Sequence, residues 1–356
     1  MRRKQRIGLA LGAGGVLGGA WLAGGLAAIA RGTGWDPWQA DVLLGTSAGS
    51  VFAGLVAGHV PPATLLPASE GAMDELGEVD VKTERDWVLS DLSMENAYRL
   101  GRRLPNVFPG SVRLIRNGMR QGTPLRALAG LAPAGMVSTE PIENTIRRAV
   151  PFGWGDHPNC WIVACDYETG ERVVFGREDA PAGHLADAVA ASCAIPGFFK
   201  PVRIAGRLYV DGGLHSMSNL DVFRGQGLAL VIVMSPLSCR HQLGGWNPLS
   251  RMAAAIRGMA TRQLDQEVEM LLDEGTHVVV IEPTVGDLAA IGNNVMDARR
   301  SQKVGEVALR TVGAQLEQSE VQELLAVLPR EPRAGRRQDR PGKLLKRAGF
   351  PAAASI

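Results

Sequence analysis

Ser47 stands in Gly45-Thr46-Ser47-Ala48-Gly49, with a glycine two residues to either side. That G-x-S-x-G spacing suits a sharp turn between a strand and a helix, which strains the serine backbone and lifts its hydroxyl above the sheet edge. Glycines are required where neighbouring elements crowd such a turn, and the helix start beneath it favours developing negative charge. The chemistry implied is nucleophilic attack by an alkoxide-like oxygen. In a chain with 44 glycines the pattern alone is weak, and its flanking strand and helix give it meaning.

Two further stretches could serve that chemistry. Gly12-Ala13-Gly14-Gly15-Val16-Leu17-Gly18 offers successive amides, unhindered by side chains, that can converge on an anion. In a serine hydrolase the anion would be the tetrahedral oxyanion. The same glycines, Gly12, Gly14 and Gly18, also suit an NAD(P)-binding oxidoreductase, which needs an acidic residue at the end of a second strand about 20 residues on. Asp36 and Asp41 are roughly placed, but Asp36 precedes Pro37 and neither ends a strand. Asp211-Gly212-Gly213 places a carboxylate at a predicted strand end, where two glycines allow close approach to another loop; an ordinary turn is the alternative. The six histidines show no clear triad setting, His215 being nearest to a motif, and no metal-ligand cluster is visible.

The elements that must position these residues read as an alternation of strands and helices. The spacing predicts a buried strand over 7–11, a glycine loop over 12–19 and a small-residue helix over 20–30. A second strand follows at 41–45 and a helix at 47–58. Residues 61 to about 155 are Pro-punctuated and helix-like, without a convincing strand. A hairpin over 161–175, a helix over 184–195 and strands at 208–210, 228–234 and 278–281 follow, with an amphipathic helix over 251–272. Apolar strands interleaved with helices indicate an α/β layered fold.

The 356 residues carry 38 Lys+Arg against 36 Asp+Glu, a net charge of +2, which excludes a strongly basic nucleic-acid binder. Hydrophobic residues at 46% and charged residues at 21% exclude wholesale disorder. Four cysteines without a C-x-x-C pair read as reduced thiols of a cytoplasmic protein. Arg2, Arg3, Lys4 and Arg6 before an apolar run to Ala30 imitate a signal peptide or membrane helix. The glycines in that run disfavour a continuous span, since each lowers helix stability by roughly 1 kcal/mol relative to Ala.

Taken together, Leu9 to Gly18, Gly45 to Gly49 and Asp211 to Gly213 resemble the patatin-like phospholipase family over about residues 6–325. Ala191-Ser-Cys-Ala-Ile-Pro-Gly197 and Pro201 to Arg207 look like that family's approach to its catalytic acid. The resemblance implies a three-layer α/β fold, here expected as a central, mostly parallel sheet flanked by helices with a helical cap segment, and hydrolysis of lipid acyl esters. With no metal-ligand cluster in the sequence, activity without a cofactor or calcium is expected. It implies Ser47 as nucleophile, Asp211 as base, and the amides of Gly14, Gly15 and Val16 as oxyanion donors. Gly12, Gly18, Gly45, Gly49, Gly212 and Gly213 support the three motifs. The family's glycine loop usually carries a basic residue where this chain has Leu17, and a glycine where it has Ala13.

One acyl-hydrolase domain over 1–329 is expected, with the cap inserted at about 61–155 and a basic tail over 330–356. Seven arginines, from Arg99 to Arg126, interleave with apolar residues and contain no acid among them. That pattern suits peripheral contact with an anionic membrane. A non-catalytic lipid-binding protein of the same fold is the remaining alternative.

Overall fold

A computed structural model describes residues 5–66, 135, 137–240 and 248–329. Most of the predicted cap, its arginines at 99–126 included, and the tail over 330–356 lie outside the described residues.

Among the described residues, eight strands form one sheet: β1 (Ile7–Leu11), β2 (Val42–Thr46), β3 (Cys160–Asp166), β4 (Arg172–Phe175), β5 (Val202–Ile204), β6 (Arg207–Asp211), β7 (Leu230–Met234) and β8 (His277–Ile281). Their order is β5-β6-β3-β2-β1-β7-β8, with β4 also paired to β3. The block from β3 through β8 is parallel, while β4 and β6 run antiparallel to β3 and β5 antiparallel to β6. The predicted hairpin over 161–175 is β3–β4.

The central strands are continuous apolar runs because both faces are covered. Leu9, Leu43, Ile162 and Ile232 enter one core, while Ala10, Leu44, Val163 and Val233 enter a second, the alternation a pleated strand imposes. The first core is closed by helices α1 (Gly15–Thr33), α2 (Ala48–Ala57), α3 (Glu140–Ala149), α4 (Leu185–Ser192), α6 (Val285–Ile291), α7 (Ser301–Leu316) and α8 (Ser319–Leu325). Helix α5 (Pro248–Asp273) closes the second through Leu264 and Leu271, with a 3-10 turn at Leu220–Phe223.

The predicted loop over 12–19 is shorter than expected, because helix α1 begins at Gly15. Intrinsic propensity argues against glycines in a helix, but here close packing selects them. A Cβ on Gly24 would run into the Gly305 carbonyl and come within 2.8 Å of Ala308 Cβ, so α1 and α7 meet backbone to backbone. Among the described residues no helix is long and apolar enough to cross a membrane.

Candidate active site

Register brings the two key side chains together. On β3, Val163 pairs with Thr46 of β2 and the next residue, Ala164, pairs with Asp211 of β6. Strand β2 is parallel to β3 and β6 antiparallel, so their C-terminal ends arrive at adjacent positions from opposite directions. Ser47, one residue past β2, donates its hydroxyl to Asp211 Oδ2 at 2.7 Å. Both residues are 5% exposed.

The turn that presents Ser47 is strained and tightly bound. Ser47 has φ 53° and ψ −122°, a left-handed combination that an L side chain rarely adopts. Its N–H donates to Ser192 Oγ at 2.8 Å, and that hydroxyl donates to the Val163 carbonyl at 2.6 Å. Its carbonyl accepts from Ser50 Oγ at 2.6 Å and from Cys193 Sγ at 3.3 Å. Helix α2 starts at once, and a Cβ on Gly49 would overlap the Leu11 carbonyl at the end of β1. Helix and strand therefore touch through bare backbone, which fixes how far the serine stands from the glycine turn.

Burial pushes the Asp211 carboxyl up to about 6, against the pull of the Ser47 hydroxyl and the Gly213 amide. That amide donates to Asp211 Oδ1 at 2.7 Å, leaving Oδ2 to the serine. The glycines after Asp211 serve a closeness different from the one expected. A Cβ on Gly212 would overlap the Val163 carbonyl, so it is β3, rather than the serine turn, that demands a bare backbone there.

The glycine turn lies beside this pair. Gly12 N–H bonds to the Met234 carbonyl at 2.9 Å, Ala13 N–H to Met217 at 2.8 Å and Leu17 N–H to Val295 at 2.8 Å. Between those tethers, the amides of Gly14, Gly15 and Val16 meet no acceptor among the described residues, as expected of a helix start. Gly15 and Val16 border one cavity with Ser47 and Ala48, so the starts of α1 and α2 share it. Gly14 packs behind, where a Cβ would lie 2.7 Å from Gly18 Cα and 2.9 Å from Pro236 Cβ. The dinucleotide reading finds no acid in place. Asp41 precedes β2 and caps the Ile7 amide, and Asp36 caps a 3-10 turn, so both lie at the opposite end of the strands from the glycines. At the end of β2, where that reading needs its acid, stands Ser47.

The cavity holds about 380 Å³ and is mostly apolar, with Val51, Phe52, Leu65, Ile142 and Phe199 among its walls. Arg299, Ser301 and Gln302 add a polar border. Of the described histidines, His59 stacks on Trp38, His157 bonds to the Ala40 carbonyl and His215 follows Gly213 by two residues, while the Asp211 carboxyl accepts from Ser47 and Gly213. Among the described residues no group of three or more His, Cys, Asp or Glu could hold a metal ion. Cys160, Cys165 and Cys193 are buried thiols, and Cys239 is half-buried.

Sequence reasoning quoted Ser192 and Cys193 without giving them a task, although they hold both backbone groups of Ser47. Asn219 it missed altogether: its side-chain amide donates to Thr46 Oγ1 at 3.1 Å, directly beneath Ser47.

The α/β sheet thus gathers a strained serine, a buried acid and open backbone amides around one cavity. A sequence model of the patatin-like phospholipases matches residues 9–224, and the chain belongs to that family of lipid hydrolases. Two solved structures are similar. VipD from Legionella pneumophila aligns with a TM-score of 0.40 and 14% identity, over 88% of this chain and 67% of that one. The heterodimeric ExoU–SpcU complex from the type III secretion system of Pseudomonas aeruginosa aligns at 0.37 and 16%, over 92% of this chain and 58% of the other.

Proposed function

We propose that this protein is a serine acyl hydrolase that cleaves carboxylic esters of lipids through a Ser47–Asp211 dyad. The observation that carries the reading is the 2.7 Å hydrogen bond from Ser47 Oγ to a buried carboxylate. As Ser47 attacks the ester carbonyl, its proton passes to Asp211 Oδ2. The carbonyl oxygen becomes an oxyanion within the reach of the Gly15 and Val16 amides, with Gly14 behind them. Collapse expels the alcohol, which takes the proton back from Asp211, and leaves an acyl group on Ser47. Water then gives its proton to Asp211 and attacks the acyl carbon, the fatty acid departs, and the proton returns to Ser47. With a carboxyl raised to about 6, Asp211 is ionised at neutral pH yet more basic than an exposed aspartate.

The apolar cavity beside Ser47 would seat the acyl chain, at roughly 0.8 kcal/mol per methylene buried. One domain over 1–329 with a cap at 61–155 is part of this proposal, as is membrane contact through 99–126. Charge reversal in that segment should weaken binding to anionic vesicles, and unchanged binding would remove the membrane role.

Labelling by a fluorophosphonate probe tests the nucleophile: the protein should react and Ser47→Ala should not. Product analysis on phospholipids and p-nitrophenyl esters then identifies the bond cleaved. A protein that neither labels nor releases fatty acid would be a lipid-binding relative rather than an enzyme.

A further inference from the structure

Helix α5 carries a buried acid, Glu267, that the dyad chemistry does not use. It is 4% exposed, and no cation pairs with it among the described residues. Taking a carboxylate out of water is unfavourable by several kcal/mol unless hydrogen bonds compensate it. Here the compensation comes from one short loop. Glu267 Oε2 accepts from Ser218 Oγ at 2.6 Å and from the Leu220 amide at 2.8 Å, and the Ser216 hydroxyl also reaches the carboxyl.

That loop begins at Asp211 and touches all three motifs. The Gly213 amide binds Asp211, the Met217 carbonyl accepts from the Ala13 amide of the glycine turn, and Asn219 Nδ2 donates to Thr46 next to Ser47. The loop is folded tightly on itself: Ser216 Oγ accepts from the Ser218 and Asn219 amides at 3.2 and 2.9 Å, and Asn219 Nδ2 also donates to the Ser216 carbonyl at 2.5 Å. Asn219 is further held by Arg172 of β4, whose guanidinium makes a two-pronged pair with Asp221 at 2.6 and 2.7 Å. Nucleophile, base and glycine turn come from separate parts of the chain, and this loop is the piece they share.

We infer that Glu267 is a positioning residue, which acts through Ser218 and Asn219 to hold Thr46, and with it Ser47, in register with Asp211 and the glycine turn. The inference rests on the dyad reading for its kinetic consequence but not for its structural one. A displacement on the order of 1 Å at such a site lowers the rate by up to about 10²-fold, so loss of one anchor should be felt mainly in kcat.

The test uses three full-length variants, p-nitrophenyl butyrate and hydrogen–deuterium exchange. Glu267→Leu should lower kcat about tenfold and leave KM within about twofold, since nothing that touches substrate has changed. Its amide exchange should quicken at 12–17 and 44–50 as well as at 216–220. Glu267→Gln keeps an acceptor for Ser218 and Leu220 and should restore both readouts. If Glu267→Leu fails to fold, Thr46→Val removes the same link from its other end and should reproduce the loss of kcat. Faster exchange confined to 216–220, or an unchanged kcat in folded Glu267→Leu or Thr46→Val, would overturn the inference. A wild type that hydrolyses no ester removes the dyad reading instead, and leaves exchange to decide this one.

Discussion

Asp211 and Glu267 are two buried carboxyls built to opposite ends. Both are almost unexposed, burial raises both above the usual carboxylate range, and neither has a cation partner among the described residues. Glu267 is surrounded by donors that stay where they are: two hydroxyls and a backbone amide of one loop. Asp211 has a fixed donor, the Gly213 amide, and a labile one, the Ser47 hydroxyl, whose proton is the one the proposed reaction would move. Desolvation therefore has different uses in the two places. At Glu267 it makes the loop's hydrogen bonds strong by excluding competing water, while at Asp211 it raises the basicity that the proposed reaction would use.

The largest effect that would break this contrast is on turnover. Asp211→Asn keeps an acceptor for Gly213 but cannot take a proton, so kcat should fall by about 10²–10⁴-fold, the range for loss of a general base. Glu267→Gln makes the same chemical change and should be nearly silent. Comparable losses in the two, measured as initial rates on one ester, would erase the distinction.

A smaller effect concerns pH. With the Asp211 carboxyl at about 6, kcat/KM should level off above that pH and fall about tenfold per unit below it, as the folded protein binds the proton that silences the base. Near pH 4 the loss is roughly 100-fold. Cys193, a buried thiol that feels the Asp211 charge, is held by burial far above this range. Glu267→Gln should leave the midpoint in place; a shifted midpoint would mean that Glu267 is the titrating group.

Function at Asp211 should also weigh on stability. A carboxyl whose folded pKa lies above its unfolded value stabilises the fold when protonated and loses that contribution as pH rises through the folded value. Asp211→Asn removes a charge that the folded state holds reluctantly above about pH 6. The variant should therefore be more stable than wild type at pH 8, by up to about 3 kcal/mol, with the gain vanishing below about pH 4, where both states are protonated. Denaturant melts at the two pH values decide it, and an equal gain at both would point to packing rather than charge.

The two carboxyls also differ in how visible they were. Asp211 announced itself because its glycines are neighbours in the chain, as are those around Ser47, and local spacing is what a sequence displays. Glu267 lies 49 residues from Ser218, on an amphipathic helix where an acid reads as one more solvated charge. Long-range hydrogen bonds leave no local spacing to find. The alternation of strands and helices was readable for the same local reason, since the buried strands are unbroken apolar runs. Strand β5, three residues closed by the turn at Ala205 and Gly206, was too short to stand out. Helix α1 starts earlier than its glycines predict because propensity penalises glycine whereas packing favours it there: a Cβ on Gly18 would lie 3.0 Å from Pro236 Cβ, and one on Gly19 3.0 Å from Phe52 Cε2.

The smallest effect sharpens the contrast in the backbone. Ser47 and Asn219 share a φ of 53°, but ψ is −122° at Ser47 and 32° at Asn219. Asn219 therefore sits in the left-handed helical region that asparagine tolerates, whereas Ser47 occupies a region suited to glycine. Strain of this kind is worth about 1–3 kcal/mol and persists only where surrounding contacts enforce it. At Ser47 these are the bonds to Ser192, Ser50 and Cys193. Both Ser47→Ala and Ser47→Gly remove the hydroxyl, so their difference in stability isolates the backbone: Ser47→Gly should be the more stable by about 1 kcal/mol or more. At position 219 the matching pair loses the same side-chain bonds in both members, so only a smaller backbone difference should separate them. Equal stabilities of Ser47→Ala and Ser47→Gly would mean that the turn relaxes freely, and the serine would then owe its position to the loop anchored by Glu267 alone.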